Sequence, residues 1–373
     1  MEGVNVGTIM KLKNKPYGVY NNYMAKVYGI GNPLIDYLCS IDDRDLTALS
    51  LNKGTMLLID NDKQKEIVEY TKGRDITYSC GGSCPNTMVT LSSLGVETTL
   101  AGSIGNDPLG DMYRTQLKKS GVIDQLVTKE GATTGTSIIL LTPDKERTMN
   151  TYLGANRLFS SNDVVEKSIE EADLFYFTGY MWDTETQQKS VMKALEICKK
   201  LGKKVAFDVA DPFAVGRYRQ TFHKLISEYC DIVFANSEEA RYLMDNYDPY
   251  ECCRSMGKLC PIAIVKNGKK GSYISDNRVI TQIPMYGTSV PVDTTGAGDT
   301  YAAGFLYGYL TGHDCVESSN IASYLAGKII SKIGAQFDLS QIEEIKEFIK
   351  TKQKLVEILT IVHFLQQFKT EKT

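Results

Sequence analysis

The chain contains 373 residues, and its 42 lysines and arginines against 45 aspartates and glutamates give a formal net charge of −3. A hydrophobic content of 42% and a charged content of 23% are ordinary for a globular protein. They exclude a disordered chain, a collagen and a disulfide-rich miniprotein. So small a net charge argues against nucleic acid or an anionic membrane as a partner, whereas backbone dipoles could still bind a small anion such as a nucleotide.

The cysteines and histidines argue against a structural zinc site and indicate a reducing environment. The nine cysteines include no CxxC pair and the three histidines stand alone, so no structural zinc site is expected. An odd cysteine count without a secretory signal is typical of the cytosol, so we expect a cytoplasmic protein. Residues 1–25 are predicted to be a flexible extension. The apolar run at 355–365 is too short to span a bilayer, and no membrane partner is expected.

From Lys26 onward, short apolar runs alternate with amphipathic segments that end at glycine. Interleaved strands and helices of this length predict an α/β fold with a mainly parallel sheet, covered by helices on both faces. Strands are predicted at residues 27–30, 98–101, 174–177, 204–208, 231–234 and 262–266, and helices at 85–94, 108–119 (capped by Asp107), 185–201 and from Asn236 or Ser237.

Two stretches interrupt this alternation. Parts of residues 37–80 and 132–153 contain strand-like runs without intervening helices, which predicts a small antiparallel β lid over the main sheet; an edge hairpin is the alternative. We therefore expect one domain over residues 26–340. The tail at 341–373 has apolar residues at near-helical spacing, and a helix packed on its own domain is favoured over a partner-binding helix.

The strongest chemical signal is the small-residue string at 293–299, D-T-T-G-A-G-D, which precedes an apolar helix. The small residues Gly296, Ala297 and Gly298 allow successive N–H groups to point into one concavity, where they bind a phosphate or an oxyanion. A carboxylate at Asp299 would repel a phosphate, but it fits a base that takes a proton from an attacking hydroxyl. The alternative is a glycine-rich turn in which Asp299 caps the helix.

This string resembles the second signature of the PfkB (ribokinase-like) kinase family. The first signature is matched by C-G-G-S-C-P-N at 80–86 and by G-S-I-G-N-D-P-L-G at 102–110, and the resemblance extends over residues 27–337. It implies a ribokinase-like fold with a β lid, and an ATP-dependent phosphotransferase that acts on an alcohol group.

A second group of residues points to the phosphoryl acceptor. Bare backbone at Gly81 and Gly82 allows close approach of a ligand, and Asn86 offers both a donor and an acceptor, although a tight turn into a capped helix explains them equally well. The resemblance implies that this element holds the acceptor.

The segment G-N-P-L-I-D at 31–36 resembles that of adenosine kinases. The resemblance implies that Asp36, with Asn32 beside it, binds the ribose of a purine nucleoside, adenosine first, whose 5′-hydroxyl is phosphorylated; a turn aspartate is the alternative. Arg147 resembles a lid arginine that steadies the transferring phosphate, or else it is a solvated hairpin charge. The ring that stacks on the base falls within residues 180–182 and is not identified further.

The remaining candidates belong to the nucleotide side. Asn236 is predicted to cap a helix with Glu239 as its capping-box partner, and the resemblance adds that Glu239 organises Mg²⁺ through water. It also implies that Asp293 and residues 331–334 lie near a monovalent cation, K⁺. The glycine loop after Lys266, which could be only a hairpin, resembles the family's ATP-side loop. The residues assigned to ATP are Asn236, Glu239, Lys266, Gly268, Gly271 and Thr295.

Several alternatives remain open from the sequence. A sugar kinase for ribose or fructose is the nearest, followed by a nucleoside- or nucleotide-binding protein without catalysis. A dehydrogenase is weaker, because the chain lacks the GxGxxG fingerprint, and the missing Walker A string excludes a P-loop kinase. The expected partners are ATP and a small acceptor but no nucleic acid, and the chain is expected to be a monomer or a homodimer.

Overall fold

The computed structural model describes residues 24–287 and 290–351. A nine-stranded main sheet forms the centre of the molecule. Its strands from β12 to β6 run parallel, and β13 and β14 extend it as an antiparallel hairpin. In sheet order the strands are β14 (Val279–Ile283), β13 (Ser272–Asp276), β12 (Ile262–Lys266), β11 (Ile232–Asn236), β10 (Lys204–Asp208), β9 (Leu174–Thr178), β1 (Lys26–Ile30), β5 (Glu97–Gly105) and β6 (Ile123–Lys129).

Helices cover both faces of the main sheet, as the alternation of elements predicts. Successive residues of one strand point to opposite faces, so Phe175 and Phe177 enter one apolar core while Leu174 and Tyr176 enter the other. The first core is closed by α5 (Glu166–Glu171), α6 (Glu185–Leu201), α7 (Pro212–Tyr229), α8 (Ser237–Met244) and α9 (Pro249–Met256), and the second by α3 (Ser83–Leu94), α4 (Pro108–Lys119), α10 (Ala297–Leu310) and α11 (Cys315–Ile329).

A second, five-stranded sheet is the lid. It is mixed and not antiparallel, because β2 pairs in parallel with β7 and β3 in parallel with β8. The edge-hairpin alternative is therefore wrong, and so is the antiparallel lid. In order, its strands are β3 (Met56–Leu58), β8 (Arg147–Tyr152), β7 (Gly135–Leu141), β2 (Leu34–Ser40) and β4 (Ile76–Gly81).

The expectation that residues 37–80 contain no helix is also wrong. Helices α1 (Asp43–Ala48) and α2 (Asn61–Tyr70) lie within this stretch and cover the outer face of the lid. Each buries few apolar residues, chiefly Leu46 and Ile67, so neither shows a clear apolar stripe in the sequence.

Capped helices and buried strands agree best with the prediction. The strands at 204–208 and 262–266 and the helices at 108–119 and 185–201 have the predicted bounds. The Asp107 carboxylate caps α4 by accepting a hydrogen bond from the Gly110 amide at 2.8 Å. In the described ranges, no helix is long and apolar enough to cross a membrane.

The described part of the tail packs on the domain itself. Residues 339–351 are helical, and Ile342, Ile345 and Ile349 are buried against Leu94 and Leu325. The favoured interpretation is thus confirmed for this part. The predicted extension over residues 1–23 and the tail from 352 onward lie outside the described residues.

We predict that Ile345→Ala lowers the free energy of unfolding by about 2–4 kcal/mol, because it opens a cavity between the tail helix and α11. Chemical denaturation measures the change. The exposed Glu347→Ala on the same helix is the control and should stay within about 0.5 kcal/mol of wild type. Equal stabilities for the two variants would show that the tail does not contribute to the core.

Candidate active site

A cavity of about 1150 Å³ lies between the carboxyl ends of the main-sheet strands and the inner face of the lid. Parallel strands bring the residues at their ends to one edge of the sheet, where ligands bind in open α/β folds. Thr178, Asp208, Asn236 and Lys266 end four neighbouring strands and line the cavity, with Asn32 just beyond β1. A volume above the range usual for one small ligand fits two ligands bound together.

The lid supplies an apolar roof to this cavity. Side chains of one strand alternate between its two faces, and Ile139, Met149 and Leu58 line the cavity from the lid side. Their neighbours Ile138 and Leu140 point the other way, into the core beneath α1 and α2. The lid therefore has one face for ligands and one face that its own helices cover.

The Asp299 carboxylate lies in the first turn of α10, facing the start of α3. Its Oδ1 accepts a hydrogen bond from the Ser83 hydroxyl at 2.6 Å, and its Oδ2 accepts one from Asn86 Nδ2 at 3.0 Å. Burial raises the pKa of Asp299 to about 6, although both hydrogen bonds favour the ionised form. A base that ionises near neutral pH suits proton transfer from a hydroxyl.

Both helices that meet at Asp299 begin at a glycine with positive φ. Gly82 has φ of 103°, and a Cβ there would lie 2.2 Å from the Asn32 carbonyl oxygen. Gly296 has φ of 72°. Both positions therefore favour glycine over any residue with a side chain.

Two amides, not three, remain available for an anion at the start of α10. The Ala297 amide donates to the Thr294 carbonyl at 3.2 Å, which corrects the expectation that it points into the concavity. The amides of Gly298 and Asp299 donate to no acceptor among the described residues. First-turn amides that lack acceptors form an anion site at the positive end of the helix.

Two further carboxyl groups in the cavity have raised pKa values. Burial raises the pKa of Asp36 to about 7 against the opposing effect of Arg147. Burial likewise raises the pKa of Glu239 to about 7, opposed by the ammonium of Lys266. Titratable groups with such shifts cluster at functional sites.

The other end of the cavity contains an ion pair and a capped helix. Lys266 Nζ lies 2.9 Å from Asp208 Oδ2. Burial works to lower the pKa of Lys266, but Asp208 and Glu239 outweigh it and raise the pKa overall. Asn236 caps α8 as predicted, and Glu239 accepts hydrogen bonds from the Asn236 amide and Nδ2 at 2.7 and 2.6 Å.

Glu239 has the chemistry to hold magnesium, and Asp293 is the residue predicted to lie near a monovalent cation. Mg²⁺ is commonly bound by one or two carboxylates, with water and substrate phosphates supplying the rest, and Glu239 lines the cavity as such a group. Both oxygens of Asp293 accept hydrogen bonds from N–H groups, namely Thr295, Gly334 and Arg147. The monovalent-cation site near Asp293 remains a prediction.

Arg147 joins the lid to the loop before α10. Its guanidinium lies 2.7 Å from Asp293 Oδ2 and also donates to the Thr295 hydroxyl. The solvated-hairpin interpretation of Arg147 is therefore wrong, since the side chain is half-buried in this contact. The lid and the anion site are coupled through one side chain.

Most predicted site residues meet at this one cavity. Gly81 and Asp293 do not line it; a Cβ at Gly81 would lie 2.5 Å from Asp36 Oδ2, so this glycine makes room for that carboxylate. The residues that do line it are Asn32, Asp36, Gly82, Asn86, Arg147, Asn236, Glu239, Lys266, Gly268, Gly271, Thr295, Gly296, Ala297, Gly298 and Asp299.

The three residues of the segment at 180–182 lie in two different environments. Tyr180 lines the cavity, whereas Met181 and Trp182 are buried in the apolar core. Tyr180 is thus the ring of this segment that a ligand can reach.

Sequence reasoning assigned no role to several neighbours of these residues. Ser83 follows Gly82 directly, and its position as the first residue of α3 was the available signal. Gln336 donates to Asn86 Oδ1 at 3.3 Å from a distant part of the chain, and no local pattern indicates it. Asp208 ends a buried strand, which is where a functional carboxylate would be sought.

Comparison with known proteins finds relatives that are kinases. Residues 54–342 match the family described as pfkB family carbohydrate kinase. A nucleoside kinase from Methanothermobacter thermautotrophicus is 29% identical over 314 residues, covering 82% of this chain and 96% of the relative.

Solved structures agree in fold. The adenosine kinase from Sinorhizobium meliloti has a TM-score of 0.80 at 32% identity, covering 86% of this chain and 99% of that one. A probable sugar kinase from Rhizobium etli has a TM-score of 0.81 at 31% identity, covering 88% and 98%. The chain thus has the ribokinase-like α/β fold. The similar proteins are named for different substrates, so the comparisons leave the substrate of this chain unresolved.

We predict that Asp299→Asn raises the free energy of unfolding by about 1–3 kcal/mol near pH 7.5. The pKa of about 6 exceeds that of an unfolded aspartate, so ionisation favours the unfolded chain as pH rises. The gain should shrink as the pH falls from about 6 to about 4 and disappear below about 3, where the carboxyl group is protonated in both states. Denaturation across this pH range measures it.

The exposed Asp111→Asn provides the control and should change stability little at either pH. If Asp299→Asn is less stable than wild type, and the difference in free energy of unfolding does not vary with pH, the raised pKa of Asp299 would be wrong.

Proposed function

The chain belongs to the pfkB family of carbohydrate kinases, and we propose that it transfers the γ-phosphoryl group of ATP to the 5′-hydroxyl of a purine nucleoside, adenosine first. The observation that carries the proposal is Asp299, a half-buried carboxylate beside two amides that lack acceptors among the described residues, at a cavity large enough for two ligands. Family membership makes the chain a kinase with a hydroxyl acceptor, and ATP is the donor that the family implies.

Asp299 is proposed as the general base. Its carboxylate takes the proton of the acceptor hydroxyl as that oxygen attacks the γ-phosphorus, and the bond from the γ-phosphorus to the bridging oxygen of ADP breaks. The amides of Gly298 and Asp299 then stabilise the charge that develops on the transferred phosphoryl oxygens. Positioning and electrostatics supply most of the rate enhancement in such a transfer.

The acceptor is proposed to bind at the β1 end of the cavity. Asp36 and Asn32 line that end, where a carboxylate oxygen accepts and an amide N–H donates, as a ribose diol requires. Tyr180, which also lines the cavity, is proposed to stack on the base. The likeness to the Sinorhizobium meliloti adenosine kinase at 32% identity supports a nucleoside.

ATP is proposed to bind at the β12 end. Lys266 and the loop glycines Gly268 and Gly271 line this end with Asn236 and Thr295. Glu239 would hold Mg²⁺ through water, and the bound ion would neutralise phosphate charge. Lys266 keeps its own positive charge in the buried site through Asp208 and would face the phosphates.

Activity with a panel of acceptors tests the proposal. Purified protein with ATP and Mg²⁺ is incubated with adenosine, inosine, guanosine, ribose and fructose, and ADP and the phosphorylated product are quantified. Adenosine should have the highest kcat/KM, and Asp299→Asn should lower kcat at least about 10³-fold while adenosine still binds. If only the sugars are phosphorylated, the acceptor is a sugar and not a nucleoside. If adenosine binds but no ADP forms with any acceptor, the proposed kinase activity is wrong.

We propose that Arg147 steadies the transferring phosphate, and we predict that Arg147→Ala lowers kcat about 10²-fold because this cation is lost. The KM for adenosine should change little. Arg44→Ala is a matched control, since Arg44 lies on α1 of the same lid and its side chain is 85% exposed. An unchanged kcat in Arg147→Ala would show that Arg147 does not contribute to catalysis. An equal loss of kcat in both variants would indicate only an effect of net charge.

A further inference from the structure

Gln187 is a fully buried amide on α6 that contacts the cavity only through another residue. Its Nε2 donates to Asn32 Oδ1 at 2.7 Å, and its Oε1 accepts from the Thr184 hydroxyl at 3.0 Å. Its relative exposure is 0%, and it does not line the cavity. Burying an amide in an apolar core is costly unless its hydrogen bonds are made, so an apolar side chain would serve packing alone more simply.

The hydrogen bonds around Asn32 determine which way its amide faces. Asn32 Nδ2 donates to the Tyr180 carbonyl at 3.4 Å, and a carbonyl can only accept. The oxygen of Asn32 therefore faces Gln187, which must present its own N–H groups there. The second N–H of Asn32 donates to no described residue, and Asn32 lines the cavity.

We propose that Gln187 is a positioning residue, which holds Asn32 as a hydrogen-bond donor towards a hydroxyl of the acceptor. The inference rests on the proposed function, because it takes the β1 end of the cavity as the acceptor site. A hydroxyl both donates and accepts, so Asp36 and a donating Asn32 together satisfy one hydroxyl or a neighbouring pair. Without Gln187, the Asn32 amide is free to turn and present its oxygen.

The neighbouring glutamine provides a matched control. Gln188 lies one position along α6, and its Nε2 donates to the Trp182 carbonyl at 2.8 Å, away from Asn32. Gln187→Met and Gln188→Met remove the same group from the same helix. Gln187→Glu retains the shape but only accepts when ionised, so it too should fail to hold the Asn32 oxygen.

The experiment measures the Kd of adenosine by calorimetry and then kcat and both KM values. Gln187→Met should raise the Kd and KM for adenosine about tenfold and leave the KM for ATP within about twofold, as loss of one oriented hydrogen bond predicts. Gln188→Met should leave all of them near wild type. In an Asn32→Ala background, Gln187→Met should add little, because its effect passes through Asn32.

An unchanged Kd in Gln187→Met, or an equal rise in the Asn32→Ala background, overturns the inference. Parallel rises in the KM for ATP would reveal a general structural defect and overturn it as well. Failure of the proposed function looks different: wild type binds adenosine but phosphorylates no acceptor, while the Kd comparison still tests Gln187. Wild type that binds neither adenosine nor ribose overturns both.

Discussion

The rest of the site depends on the half-buried carboxylate of Asp299, held between the first turns of α3 and α10. Ser83 and Asn86 reach it from more than 200 residues away in sequence, so one interaction joins the two glycine-containing motifs. Burial would normally neutralise such a group, whereas two hydrogen bonds and the positive ends of two helices favour its charge. The result is a carboxylate with a pKa of about 6 beside the two amides of the α10 N-terminus that lack acceptors, which suits the general base proposed above.

The lid extends this constraint to the whole cavity. Its apolar inner face lines the cavity and would keep water from a bound phosphoryl group, while α1 and α2 cover the outer face. Arg147 ties the lid to Asp293 and Thr295 beside the anion site. This contact connects the position of the lid to the loop that precedes α10, so a movement of the lid would also move or break it.

Elements with local signals could be predicted from the sequence, and those formed by long-range pairing could not. Helix α4 carries a cap at Asp107 and a proline at its first position, and its bounds agree with the structure. Strand β2 pairs with β7, which follows about a hundred residues later, and no local pattern encodes that parallel register. In the site, glycine strings located Asp299, but Gln187 and Gln336 act through tertiary contacts.

A crystal structure of the protein with adenosine and a non-hydrolysable ATP analogue would show whether Asp299 can act as the general base. We expect the 5′-hydroxyl oxygen within about 3.2 Å of an Asp299 carboxylate oxygen, with the γ-phosphoryl group beside the Gly298 and Asp299 amides. A 5′-hydroxyl that hydrogen-bonds to a different basic group, while the Asp299 carboxylate still accepts hydrogen bonds only from Ser83 and Asn86, would contradict the role of Asp299 as the base.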